Sequence, residues 1–158
     1  SRSELQVLEE QIDLAARFSQ LVLVHTPHLE DKLKGTRLIL DAIARDGRIP
    51  VERVMIDHVE EHTAKLVLDR GHWAGMTLYP DSKCTPQRAV DILEMYGNER
   101  LCLNSAGDWG QSDPLSVPKA VLEMKRRGDG ERAVSKVVFE NPCAFLSQSP
   151  KFKVPGDA

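Results

Sequence analysis

The chain has 158 residues, of which 41% are hydrophobic and 28% charged, with a net charge of -3. That suits one domain, or part of one, with a sizeable core, and it excludes the broad basic field of a dedicated nucleic-acid binder. No apolar run approaches the ~20 residues needed to span a bilayer.

Cys84, Cys102 and Cys143 are odd in number and far apart. They support neither a disulfide framework nor a zinc knuckle, so a reducing cytoplasm is the expected compartment. No signal peptide is visible, and the chain opens in a charged helical segment without Met, which reads as an internal start.

Residues 4–20 place Leu5, Leu8, Ile12, Ala15 and Phe18 at helical spacing. Leu21-Val22-Leu23-Val24 follows as a buried strand ending in His25, and a loop holds Thr26-Pro27-His28. The next helix runs through Leu38 and Ile43 to Asp46-Gly47, where glycine suits the position just past a helix end. Val54-Met55-Ile56 is a second strand, leading to Asp57 and His58, and Thr63 to Arg70 reads as a helix. A third strand, Trp73 to Tyr79, ends at Pro80. Thr85-Pro86 then caps a helix reaching Tyr96. Leu101-Cys102-Leu103 is the fourth strand and leads to Asp108. Val117 to Arg127 is helical, and Ala133 to Phe139 could be strand or helix. Asn141-Pro142 opens a last short helix, and residues 149–158 are expected to fray.

A helix followed by four strand–helix units implies parallel strands with right-handed crossovers. Four units make either a small open α/β sheet or half of an eight-stranded barrel, a whole one needing ~250 residues.

Three apolar runs therefore end at or near His25, His58 and Asp108. A single strand-end histidine is more often satisfied by hydrogen bonds than by a metal. Three residues of metal-binding type at three strand ends make a shared site the better reading. Imidazole nitrogens and a carboxylate suit zinc, manganese or iron. Asp108 could be a ligand or the base acting on a water. His58-Val59-Glu60-Glu61-His62 also matches the H-x-x-E-H protease pattern, which requires a helix through both histidines. A strand running straight into His58 argues against it. His28, Lys83 and Trp109 lie in neighbouring loops as candidate substrate contacts, Lys83 for an anionic group. Cys102, inside a strand, reads as a small core residue.

At these residues the chain resembles the C-terminal half of a TatD-related metal-dependent hydrolase of the amidohydrolase superfamily. The resemblance rests on Val22 to His25 as V-x-V-H, on His58 and Asp108, and on Asn141-Pro142 with Phe145-Leu146, and it spans about residues 4–148. It implies an α/β fold: the C-terminal half of a TIM-type (β/α)8 barrel, with one helix preceding units five to eight in a single partial domain, 1–158. It implies that His25, His58 and Asp108 are the metal ligands of strands five, six and eight, with Asp108 catalytic. The metal is then a divalent ion, zinc first, with manganese or magnesium as alternatives. The family's H-x-H strand and bridging carboxylate are not found on a strand here. The Ser105 to Gly110 segment departs from the E-T-D-x-P of nuclease members.

The expected function is hydrolysis of a small ester, amide or phosphoester by a metal-activated water. The alternative is a non-catalytic α/β module or half-barrel that needs a partner chain. Expected partners are a small-molecule substrate and either a second copy or the missing N-terminal half. Neither nucleic acid nor membrane is expected. The face turned toward a barrel interior is expected to expose Val, Leu and Met side chains.

Overall fold

A computed structural model of the chain describes residues 2–26, 31–80, 83–107 and 111–154. The elements in order are α1 (Arg2–Arg17), β1 (Val22–His25), α2 (Lys32–Asp46), β2 (Val54–Asp57), α3 (Glu61–Asp69), β3 (Trp73–Leu78), α4 (Pro86–Tyr96) and β4 (Leu101–Ser105). Then follow α5 (Ser116–Arg127), α6 (Glu131–Ser135), a π-helical turn (Lys136–Glu140) and α7 (Asn141–Leu146). The stretch 133–139, open between strand and helix, is therefore helical.

The helix ends are set by local chemistry. Asp31 Oδ1 accepts from the Lys34 amide at 2.9 Å, and Gly47 closes α2 in the left-handed region with its amide on the Ile43 carbonyl. Thr85 Oγ1 accepts from the Arg88 amide and Pro86 fills the first helical position of α4. Gly128, at φ 98°, ends α5.

The sheet is parallel, in the order β1-β2-β3-β4. β2 and β3 are buried along their whole length, as central strands of a parallel sheet should be. Strand alternation divides the side chains between two faces. Val24, Val54, Ile56, Ala74, Met76, Leu78, Leu101 and Leu103 belong to the main core, together with Leu40 and Ile43 of α2, Val67 of α3, Val90 and Ile92 of α4 and Met124 of α5. Ile12 ties α1 to the same core, while Phe18, expected on its apolar stripe, lies beyond the helix end and is exposed.

The opposite face carries Leu23, Met55, Trp73 and Cys102 toward the amino ends of the strands, and His25, Asp57, Gly75, Thr77 and Asn104 toward the carboxyl ends. Its apolar part is not left open as expected. Phe145 packs with Met55, Trp73 and Cys102, with ring centroids of Phe145 and Trp73 5.8 Å apart. Asn141 Nδ2 donates to the carbonyls of Asn98 and Leu101, anchoring α7 beneath the sheet. Only Leu23, on edge strand β1, stays 53% exposed among these apolar residues. Residues 149–152 continue in hydrogen-bonded turns, and 155–158 lie outside the described residues.

No helix among the described residues is long and apolar enough to cross a membrane. The three cysteines are free, and burial pushes the Cys84 and Cys102 thiols up to about 12.

His72 generates a test of the core. It is buried, with Nδ1 donating to the Val51 carbonyl at 3.1 Å. Burial lowers its pKa below the ordinary 6.5, outweighing that bond, and the nearby Arg70 and Arg100 lower it further. The unfolded chain therefore takes up this proton first as the pH falls below 6.5, so stability is lost with acidification. Urea midpoints should fall as the pH is lowered from neutrality through that window. His72→Gln should flatten the decline, and an unchanged slope would contradict this assignment.

Candidate metal centre at the carboxyl ends of the strands

Register builds this site. His25 and Asp57 are the last residues of β1 and β2 and are paired directly across the two strands. Both therefore fall on the face opposite the main core. Simple alternation would send His58 to the other face. Instead His58 adopts φ 63°, an uncommon left-handed conformation, and the Val59 amide returns to bond the Gly75 carbonyl at 3.0 Å. The extra residue behaves like a bulge that re-aims a side chain at a sheet's end. It brings the His58 ring over Asp57.

The donor atoms of His25, Asp57 and His58 all lie within 4.8 Å of one another. His25 Nδ1 is 2.8 Å from His58 Nε2 and 3.4 Å from Asp57 Oδ2. Tetrahedral zinc with bonds of ~2.0–2.1 Å would separate its ligand atoms by about 3.4 Å. The three donors fit a divalent cation in type, and the His25–Asp57 separation matches this spacing, while the 2.8 Å His25–His58 contact is a hydrogen bond that a bound ion would open. His25 is open to solvent, its side chain 70% exposed, whereas the Asp57 side chain is 9% exposed. The outer histidine offers a route in and the inner carboxylate supplies charge. Burial holds the His58 pKa down to about 4, helped by Lys83, His25 and Lys32 and opposed by Asp57. His58 is consequently a neutral imidazole at physiological pH, the form that binds metals.

The carboxylate is seated by three neighbours. Thr77 Oγ1 and Asn104 Nδ2 donate to Asp57 Oδ1 at 2.9 and 3.1 Å. Gly75 beside it leaves the space: a Cβ there would stand 2.6 Å from Asp57 Oδ1. Among the described residues no buried side-chain polar atom lacks a hydrogen-bond partner.

Of the residues singled out in the sequence, His25, His58 and Lys83 come together. Lys83 Nζ is 3.2 Å from His58 Nε2 and 4.7 Å from the centre of the Tyr79 ring. Its carbonyl is held by Arg88 Nη1 at 3.0 Å, and Arg88 grips Glu61 through two bonds of 2.7 Å. That pairing holds the Glu61 carboxyl below its usual range, against the opposing effect of burial. His28, Asp108 and Trp109 lie outside the described residues. His62 sits in α3 while His58 follows β2 in a left-handed conformation, so no single helix carries the H-x-x-E-H pattern.

Asp57, Gly75, Thr77 and Asn104 were not identified as site residues in the sequence. Parity could have found them. Asp57 is two residues beyond Met55 and Asn104 two beyond Cys102, while Gly75 and Thr77 interrupt an otherwise apolar strand.

Parallel α/β units with a two-histidine, one-carboxylate cluster at their carboxyl ends are the architecture of half a (β/α)8 barrel with a candidate metal site. No family model matches the sequence. An uncharacterized metal-dependent hydrolase of Methanocaldococcus jannaschii is 30% identical over 145 residues, covering 92% of this chain and 56% of the relative. The crystal structure of a TatD-like protein from Archaeoglobus fulgidus, also 30% identical, aligns with a TM-score of 0.68 over 93% of this chain and 55% of its own. In sequence and fold the chain is TatD-related, and it spans about half the length of the relatives it matches.

Gly75→Ala tests the seating of Asp57. Overpacking of this kind costs ~1–3 kcal/mol, so its urea midpoint should fall measurably. A midpoint equal to the wild type would mean that Asp57 has room to move.

Proposed function

We propose that the chain forms the C-terminal half of a metal-dependent hydrolase, with His25, His58 and Asp57 holding a divalent ion. The observation that carries this reading is the convergence of their donor atoms at the carboxyl end of the sheet. Zinc suits two imidazoles and a carboxylate best, with manganese or magnesium as alternatives. Asp108, shortly after β4, is proposed as a further carboxylate of the same centre, and His28 and Trp109 as loop contacts to the substrate.

When bound, such an ion acts as a Lewis acid and brings the pKa of a water toward ~7. The chain's own residues have separate tasks. Neutral His58 keeps a lone pair available, and Asp57 balances the cation's charge from beneath. Asp108 takes the proton of the attacking water. Lys83 receives a negatively charged group of the substrate, which makes an anionic small ester, amide or phosphoester the preferred class. Nucleic acid fits poorly, because the net charge is -3 and nearby cations such as Lys32 and Arg88 are already paired with Glu60 and Glu61. The free cysteines suit a reducing cytoplasm.

β1 and β4 form the edges of the sheet, and Leu23 is exposed on the face bearing the site. We propose that the complementary barrel half, or a second copy of the chain, covers them. Sedimentation should show self-association, or binding to an added N-terminal half. A chain that remains monomeric and gains no partner would contradict that part.

The metal reading is tested by zinc and manganese titration of the chain, with chelator reversal, and by ester, amide and phosphoester hydrolysis in the assembled protein. One ion per chain is expected. His58→Ala should abolish this stoichiometric binding and His62→Ala should preserve it. Equal losses, or no binding by the wild type, would refute the assignment.

A further inference from the structure

We propose that Thr77 is a positioning residue that fixes the tautomer of His58, so that Nε2 is the nitrogen presented to the metal. The proposal rests on the metal reading above and extends it to a side chain outside the ligand set.

Thr77 Oγ1 lies 2.9 Å from Asp57 Oδ1 and 2.7 Å from His58 Nδ1. The hydroxyl has one hydrogen to give, and an ionised carboxylate can only accept. The hydrogen therefore goes to Asp57, leaving an oxygen lone pair toward His58. Only a protonated Nδ1 satisfies that lone pair. The second carboxylate oxygen, 3.5 Å from Nδ1, favours the proton there as well. Asn104 contributes from β4 by donating to Asp57 Oδ1, which orients the carboxylate.

With Nδ1 protonated, the lone pair of His58 is on Nε2. That atom faces His25 Nδ1 at 2.8 Å and Lys83 Nζ at 3.2 Å, both able to donate to it, and Lys83 Nζ is farther from Nδ1, at 3.4 Å. The hydrogen-bond chain thus runs from His58 through Thr77 to Asp57. Thr77 is buried, so water cannot readily take the place of its hydroxyl. A partner that fixes a ligating histidine's tautomer typically affects metal affinity by ~10–100-fold.

The test uses the full chain as wild type, Thr77→Ser and Thr77→Val. Long-range proton–nitrogen correlation spectra of metal-free protein near neutral pH read which His58 nitrogen carries the proton. Zinc titration calorimetry reads affinity. The wild type and Thr77→Ser should show the Nδ1–H form and equal zinc affinity. Thr77→Val should show mixed tautomers and bind zinc ~10–100-fold more weakly.

A wild-type His58 protonated at Nε2 overturns the proposal whether or not the valine variant folds. So does a folded valine variant with wild-type tautomer and affinity. A wild type that binds no zinc, yet holds Nδ1–H, defeats the metal reading while upholding the tautomer assignment.

Discussion

The site depends on one buried carboxylate. Asp57 is at the end of a fully buried strand, where an ionised group without compensation is costly. Its surroundings answer that cost in two ways. Thr77 and Asn104 satisfy one oxygen, and two histidine nitrogens lie near the other. Removing Gly75's free volume would displace the carboxylate, and with it the fixed point around which both histidines gather. This explains why a glycine is found inside a strand that otherwise needs side chains for packing.

The scaffold permits such a centre because the two faces of the sheet do different work. The helix-covered face is continuously apolar and holds the strands in register through Val54, Ile56, Met76 and Leu101. The other face changes character along the strands. At one end Phe145 seals Met55, Trp73 and Cys102 into a second small core. At the other, the side chains become polar and converge. Charged loops then link successive units: Lys32 of α2 pairs with Glu60 at 2.6 Å, and Arg88 of α4 reaches Glu60 and Glu61. Because Arg88 also holds the Lys83 carbonyl, this network fixes the loop from which Lys83 approaches His58.

Most of the fold was legible in the sequence, and the reasons are local. Short apolar runs ending in polar residues gave the strands. Asp46-Gly47 and Thr85-Pro86 marked helix ends that backbone geometry and hydrogen bonds bear out. The segment around Val137 was ambiguous because a short apolar run has no decisive period, and tertiary packing makes it helical. The site was legible in part. His25 and His58 stood out as strand-end histidines, but the role of Asp57 depends on which residue of β2 lies beside His25. That pairing is a non-local fact of register. The left-handed turn at His58 was equally hidden, since nothing in the sequence around Asp57-His58-Val59 demands it.

That turn also bears on how the site could have arisen. A histidine at φ 63° is held in an uncommon backbone conformation, which persists only where neighbours over-determine it. Here the Val59 amide is fixed to Gly75, the Val59 side chain is buried in the main core, and the ring is held by Thr77. Each constraint comes from β3 or the helix-covered face rather than from the loop itself. The geometry of the candidate metal centre is thus built into the rigid sheet. Lys83, half-buried and with its carbonyl held by Arg88, reaches His58 from outside the sheet.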